Sequence, residues 1–164
     1  MRINGKRITT IVSDFDGTIL KKGAMEPTEE FFRIIDKAME EGHWFIAASG
    51  RQYFNMYNML NKLKKEIVYI CENGCLVMYK GEVLHKETIE QDLAGGLIKE
   101  LQAQGGGTEL IVSGEKTCYV APHNPGFADV MEHKVKYHIT RLKSFAEVPE
   151  EPLKISIHYL EGIP

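Results

Sequence analysis

Apolar and polar residues follow a fixed rhythm through the first half of the chain. An apolar run, Ile8–Ser13, reads as a buried strand and stops at Asp14-Phe15-Asp16-Gly17-Thr18. A polar connection with a glycine, Lys21–Glu26, comes next. Over Pro27–Glu41, Phe31, Ile34, Ile35, Ala38 and Met39 recur at three- and four-residue spacing, which predicts an amphipathic helix. Pro27 near its start, Thr28 as the cap and Gly42 past its end punctuate it. A second apolar run, His43–Ala48, stops at Ser49-Gly50-Arg51. A second helix shows Tyr53, Met56, Tyr57, Leu60 and Leu63 on one face. A third run, Ile67–Cys71, stops at Glu72-Asn73-Gly74.

Strand–helix–strand–helix–strand predicts a parallel sheet with right-handed crossovers and helices on its faces. Ligands bind such sheets at the carboxyl ends of the strands. All three runs end there in polar groups, so one rim collects Asp14, Asp16, Ser49, Arg51 and Asn73. Side chains alternate along a strand, so Asp14 and Asp16 are expected on the same side. Two crowded carboxylates at a strand end suit a divalent cation and acid–base or nucleophilic chemistry.

After Gly74 the rhythm changes. Cys75–Lys80 and Glu82–His85, split by Gly81, predict a hairpin. Glu90–Gln104 reads as a helix weakened by Gly95-Gly96, and Gly105-Gly106-Gly107 as a flexible break. Glu109–Val112 and Thr117–Ala121 read as antiparallel strands, Gly126–Tyr137 as a helix and Leu153–Leu160 as an alternating strand; Ile139–Val148 has no clear pattern. The parallel pattern is absent from this half, so a domain boundary is expected near residue 84, dividing the chain into 1–84 and 85–164.

Charge and composition narrow the function. A formal charge of −3 argues against an electrostatic nucleic-acid binder. No apolar run approaches the roughly 20 residues that span a bilayer, and the basic N-terminus lacks the apolar stretch of a signal peptide, so a cytoplasmic protein without membrane contact is expected. Cys71, Cys75 and Cys118 are an odd set without framework spacing, which fits reduced thiols packed on or beside strands. His123, His133, His138 and His158 show no metal-ligand spacing. Trp44, beside the second strand, is expected in the core.

Asp14-Phe15-Asp16-Gly17-Thr18, then Ala48-Ser49-Gly50-Arg51 and Glu72-Asn73-Gly74, resembles the haloacid dehalogenase superfamily and within it the Cof-like phosphatases. The match covers residues 8–80 and treats the remainder as a cap. The resemblance implies an α/β fold: part of a Rossmann-like core with parallel strands, plus an inserted α/β cap. It implies that Asp14 attacks phosphorus to form an aspartyl-phosphate and that Asp16 protonates the leaving oxygen and then activates water. It implies Mg2+ held by the Asp14 carboxylate and the Asp16 main-chain carbonyl, offsetting like-charge repulsion. Gly17 and Thr18 would form the turn against the phosphoryl group and Ser49, with Gly50, would bind its oxygens. Small phosphorylated metabolites, such as sugar phosphates, are the implied substrates.

Several residues keep a second reading. Ser49 is also a good helix N-cap, compatible with phosphate at the same helix start. Arg51 reads equally as a structural ion-pair partner or a substrate contact, and Asn73-Gly74 equally as a tight turn or part of the site.

The chain departs from the family pattern late. Family members resume the core after the cap with a phosphate-binding lysine and a Gly-Asp segment that completes the magnesium site. None of Lys134, Lys136, Lys143 or Lys154 has that context, and Asp129 lies in a cap helix. A truncated chain is therefore expected, with weak magnesium binding, little or no turnover, and one unpaired edge on the first strand that invites self-association or a second polypeptide. The competing reading is a non-catalytic remnant or phosphate-binding module. A receiver-like phosphoacceptor also uses clustered aspartates, but the cap-sized insertion argues against it.

Overall fold

A computed structural model describes residues 2–3, 6–7, 9–21, 24–105 and 107–160. The expected strand start at Ile8, the Lys22-Gly23 part of the first connection and Gly106 lie outside the described residues. The chain divides into two compact units, Met1–His85 and Lys86–Pro164. None of the described helices is long and apolar enough to cross a membrane.

The first unit opens with a short antiparallel pair, β1 (Arg2–Ile3) and β2 (Lys6–Arg7). Its main sheet has five strands among the described residues: β3 (Thr10–Asp14), β4 (Trp44–Ala48), β5 (Val68–Cys71), β6 (Leu76–Tyr79) and β7 (Glu82–Lys86), in that order, with β3 at one edge. β3, β4 and β5 are parallel, as the strand–helix rhythm requires, and β6 turns back antiparallel on β5. Between them run α1 (Glu29–Glu40) and α2 (Tyr53–Leu60). Thr28 caps α1, its hydroxyl accepting from the Phe31 N–H at 3.2 Å. Glu29 and Glu30 in the first turn and Lys37 in the last complement the helix dipole.

Both helices cover one face of this sheet. Phe32, Ile35 and Met39 of α1 and Tyr53, Met56 and Leu60 of α2 are buried against Phe45, Ala47, Tyr69 and Cys71. The Phe31 ring meets Phe45 edge-on at 5.9 Å, and Tyr53 meets Tyr69 at 5.3 Å. The buried stripe of α1 is rotated from the expected one: Phe32 is inside and Ile34 is half-exposed. Trp44, expected in the core, is 50 % exposed, because it belongs to the opposite face of β4, which neither helix covers.

The second unit holds α3 (Gln91–Ala103), β8 (Thr108–Ser113), β9 (Cys118–Val120), α4 (Pro125–Asp129), β10 (Ile139–Arg141) and β11 (Lys154–Tyr159). Its sheet order is β10-β9-β8-β11. β8 pairs antiparallel with β9 and β11, as their alternation suggests. The expected lack of parallel pairing fails at β10, which runs parallel to β9. The reason is the segment between them. Residues 121–138 form a crossover, with α4 capped by Asn124, so the chain re-enters the sheet in the same direction. The single helix expected over Gly126–Tyr137 is α4 followed by a π-helical turn, Val130–Lys134, and ends before Lys136, whose φ is +65°.

Candidate functional site

The carboxyl ends of β4 and β5 are tied together through their backbones, and β3 ends beside them in register. The Ser49 N–H donates to the Ile70 carbonyl at 2.9 Å, the Asn73 N–H to the Ser49 carbonyl at 3.2 Å, and the Glu72 N–H to the Arg51 carbonyl at 3.1 Å. Parallel register makes this possible: Asp14 stands opposite Ala48, and Ala48 opposite Ile70. The three polar strand endings therefore form adjacent steps of one rim.

The chain leaves β3 through a tight loop. The Gly17 N–H donates to the Leu20 carbonyl and the Leu20 N–H to the Phe15 carbonyl, each at 2.8 Å. Gly17 has φ +85°, a left-handed conformation that a Cβ disfavours. Phe15 is fully buried and Leu20 nearly so, which anchors the loop and leaves Asp14 and Asp16 exposed. The expectation that strand alternation brings the two aspartates together needs correcting. β3 ends at Asp14, and Asp16 lies beyond it, in an isolated bridge with Leu20. The turn, not the pleat, sets the direction of Asp16.

Two small clusters result. In one, the Thr18 hydroxyl donates to Asp14 Oδ2 at 3.2 Å. In the other, Asp16 accepts from three groups. Arg51 Nε lies 3.0 Å from Oδ1 and 2.9 Å from Oδ2, Arg51 Nη2 lies 2.7 Å from Oδ1, and the Ser49 hydroxyl donates to Oδ2 at 3.1 Å. The Arg51 hydrogen bonds hold the Asp16 carboxyl below the usual carboxylate value, against the partial burial that pushes it up; the Arg51 charge and Ser49 add to the lowering. Asp16 is a carboxylate in this arrangement.

Arg51 is itself positioned. Its Nη1 donates to Asn55 Oδ1 at 2.8 Å, Asn55 being buried one helical turn on, and its guanidinium lies 5.8 Å from the centre of the Phe15 ring. Sequence reasoning missed Asn55 and Phe15. The four-residue Arg51/Asn55 spacing was the available signal. Of Arg51's two sequence readings, the structure shows the ion pair, at 2.7 Å. The Ser49 hydroxyl also accepts from the Arg51 N–H at 3.2 Å, a local turn ahead of α2; the N-cap reading of Ser49 needs correcting, because the residue at that position is Gln52 and its side chain caps nothing. A Cβ at Gly50 would meet Asn73 Oδ1, the far end of an exposed side chain that can swing aside. Asn73, at φ +60°, is exposed and sits in a short 3₁₀ turn, so it combines a tight turn with a place on the rim.

Among the described residues one further group has metal-ligand proximity: Asp129, Glu132 and His133. Arg141 already bridges it, with Nη2 at 2.8 Å from Asp129 and Nη1 at 2.6 Å from Glu132.

Residues 11–162 match the family model described as haloacid dehalogenase-like hydrolase. The chain is 24% identical over 136 residues to the 5-amino-6-(5-phospho-D-ribitylamino)uracil phosphatase of Escherichia coli, covering 83% of this chain and 49% of that protein. Among solved structures it resembles a haloacid dehalogenase-like hydrolase from B. subtilis, with TM-score 0.72 and 19% identity over 90% of this chain and 59% of that one. It also resembles a haloalkanoate-superfamily phosphatase from Bacteroides thetaiotaomicron, with TM-score 0.68 and 16% identity over 94% and 57%. At these identities the structures establish the fold. The chain spans about half the length of the curated relative it matches.

Proposed function

The chain belongs to the haloacid dehalogenase-like hydrolase family, and from that premise we propose that the rim of its first unit serves phosphoryl transfer from small phosphorylated metabolites such as sugar phosphates. The observation that carries this reading is the joining of Asp16, Ser49 and Arg51 beside Asp14 at the ends of adjacent parallel strands.

Asp14 is the nucleophile. One carboxylate oxygen attacks phosphorus, the bond from phosphorus to the leaving oxygen breaks, and an aspartyl-phosphate forms. Asp16 gives that leaving oxygen its proton and then takes one from the water that hydrolyses the aspartyl-phosphate. Ser49, the Gly50 backbone and Thr18 hold phosphoryl oxygens; Gly17 keeps the turn clear for them, and Asn73 lines the rim. Arg51 has two successive partners. It holds Asp16 ionised now, and a phosphate dianion competes for the same guanidinium, freeing Asp16 to carry a proton.

Magnesium suits the residues present. Asp14 is an exposed oxygen donor whose Oδ2 has a neutral hydroxyl beside it, while the Arg51 cation is committed to Asp16. An all-oxygen donor set matches a hard cation. The Asp14 carboxylate and the Asp16 main-chain carbonyl would hold it, and its chemistry is to neutralise charge as the carboxylate meets phosphate. In this reading the first unit is the N-terminal part of the catalytic core, the second is a cap that selects substrate, and the site works in the cytoplasm.

Residues 1–164 contain neither the lysine nor the Gly-Asp segment that the resemblance expects, so slow turnover by this polypeptide is proposed. The test is magnesium-dependent hydrolysis of an aryl phosphate by the 164-residue chain. A low rate that disappears in Asp14→Asn is expected. A rate that survives this substitution removes Asp14 from the chemistry. A second reading, a phosphate-binding module without turnover, draws on the grip of Arg51 on Asp16. It predicts phosphate binding with no hydrolysis, and binding that Asp14→Asn does not weaken.

A further inference from the structure

Asn55 lies inside α2, 1 % exposed, among the buried Tyr53, Met56 and Leu60 of the same helix. Asparagine is a weak helix former, and a buried polar side chain is retained where it has a hydrogen-bond partner. One partner of Asn55 is Arg51, whose Nη1 donates to its Oδ1 at 2.8 Å. The contact spans four residues and crosses the start of the helix, so α2 carries the Asn55 amide as an anchor beside the rim.

A guanidinium is a planar fork with two edges that can each take a two-oxygen anion: Nε with Nη2, and Nη1 with Nη2. Here the first edge holds Asp16. Nε lies 2.9 Å from Oδ2 and Nη2 2.7 Å from Oδ1, while Nη1 is turned back to Asn55. The guanidinium carbon lies over the buried Phe15 ring at 5.8 Å, which holds the fork from a further side. The Arg51 backbone is also fixed. Its N–H donates to the Ser49 hydroxyl at 3.2 Å, and its carbonyl accepts from the Glu72 N–H at 3.1 Å. With backbone and ring contact set, the bond to Asn55 decides which edge of the fork meets the rim.

We infer that Asn55 is a positioning residue: by holding Nη1 it turns the Nε/Nη2 edge of Arg51 to the rim, toward Asp16 in the free protein and toward a phosphoryl dianion in its place. The identity of that second anion rests on the proposed phosphoryl-transfer reading. Asn55 itself touches no substrate and acts through Arg51. When a dianion displaces Asp16, the Nη1–Asn55 bond stays, and the same N–H groups meet phosphoryl oxygens. Arg51 thus changes partner without changing orientation. A fork released from Asn55 turns about its stem and must be ordered again by each anion that binds, which weakens binding.

The test reads the Arg51 side chain by heteronuclear NMR in the 164-residue chain, with Arg51→Lys to assign the signals. A held guanidinium shows separate Nη1 and Nη2 signals, and a freely rotating one averages them. Separate signals are expected, and inorganic phosphate should move those of Nε and Nη2 far more than that of Nη1. Asn55→Leu, similar in size and without an acceptor, should merge the Nη signals and weaken phosphate binding at least about tenfold. Asn55→Asp, which keeps an oxygen at the same place, should keep them separate. Asn58→Leu, at an exposed position of the same helix, should change neither readout. Averaged Nη signals in the unaltered chain overturn the inference before any variant is made. Separate signals in Asn55→Leu, or phosphate bound as tightly as by the unaltered chain, overturn it too. A chain that binds no phosphate, yet whose separate signals merge in Asn55→Leu, supports the hold of Asn55 on Arg51 and overturns the phosphoryl reading of the rim instead.

Discussion

The two units solve the same packing problem to different extents. In the second, β8 is buried on both sides. Leu110 and Val112 join Ile98, Tyr119, Phe145 and Val148 on one face, while Ile111 joins Cys118, Val120, Phe127 and Met131 on the other. In the first, Phe45 and Ala47 are enclosed by α1 and α2, while Val12 and Trp44 on the other face stand half or more in solvent. The central strands are similarly apolar in both units. The difference teaches that a strand's composition records how many faces are meant to be covered, and that the number actually covered is a separate fact of structure.

The comparison breaks first at Phe45. This ring is 1 % exposed and packs on Phe31. Phe45→Ala should cost about 3–5 kcal/mol, read as a fall in the urea midpoint of Trp44 emission. A loss under about 0.5 kcal/mol, the range of ordinary exposed positions, would show that the covered face is as loosely held as the open one.

The next test is a pair of neighbours in the second unit. Leu110 and Ile111 are adjacent in sequence and face opposite ways in β8, each nearly buried. Leu110→Ala and Ile111→Ala should each cost about 2–5 kcal/mol, measured by hydrogen exchange of β8 amides. Equal losses confirm a sheet packed on both sides. A much smaller loss at either residue would make the second unit one-sided too.

Much of this architecture was legible beforehand. The runs ending at Asp14, Ala48 and Cys71 became parallel strands because apolar length, cap and glycine all agreed, as at Thr28 and Gly42 of α1. What escaped were features set by tertiary contact. Nothing in the local pattern of Trp44 tells which face of β4 a helix will cover. The β10 segment is three residues long, too short for periodicity to register, and its parallel pairing depends on a crossover eighteen residues long in sequence. At the rim, Asp14, Asp16, Ser49 and Arg51 were visible as residue types. The grip of Arg51 on Asp16 spans 35 positions and depends on buried Asn55 and Phe15, so only coordinates show it.

Acid should separate the units more gently. In the second unit, burial and the Lys154 charge hold His158 below its ordinary 6.5. Its neutral form is favoured by folding, so that contribution is complete above pH 6.5 and is lost as pH falls through the lowered value. Asp16 is held below 3.8, so the first unit keeps its Arg51–Asp16 contribution above that pH and loses it as pH falls through its own lowered value. The half-exposed pair contributes little in any case. Exchange rates in β11 should therefore rise at a higher pH than those of the β3–β4 rim, and His158→Gln should abolish the earlier step. Simultaneous rises would mean the sheets do not titrate separately.

The smallest effect is the most discriminating. Val12 is as apolar as a core residue and sits at the centre of β3, yet it is 60 % exposed. If composition alone set its energetic role, Val12→Ala would cost what a buried valine costs, about 1.5–3 kcal/mol. If coverage sets it, the loss stays within about 0.5 kcal/mol. The second value is expected, because Val12 stands mostly in solvent. Measured as the shift in the urea midpoint of Trp44 emission, this one substitution asks whether composition or coverage sets what a valine contributes to a strand.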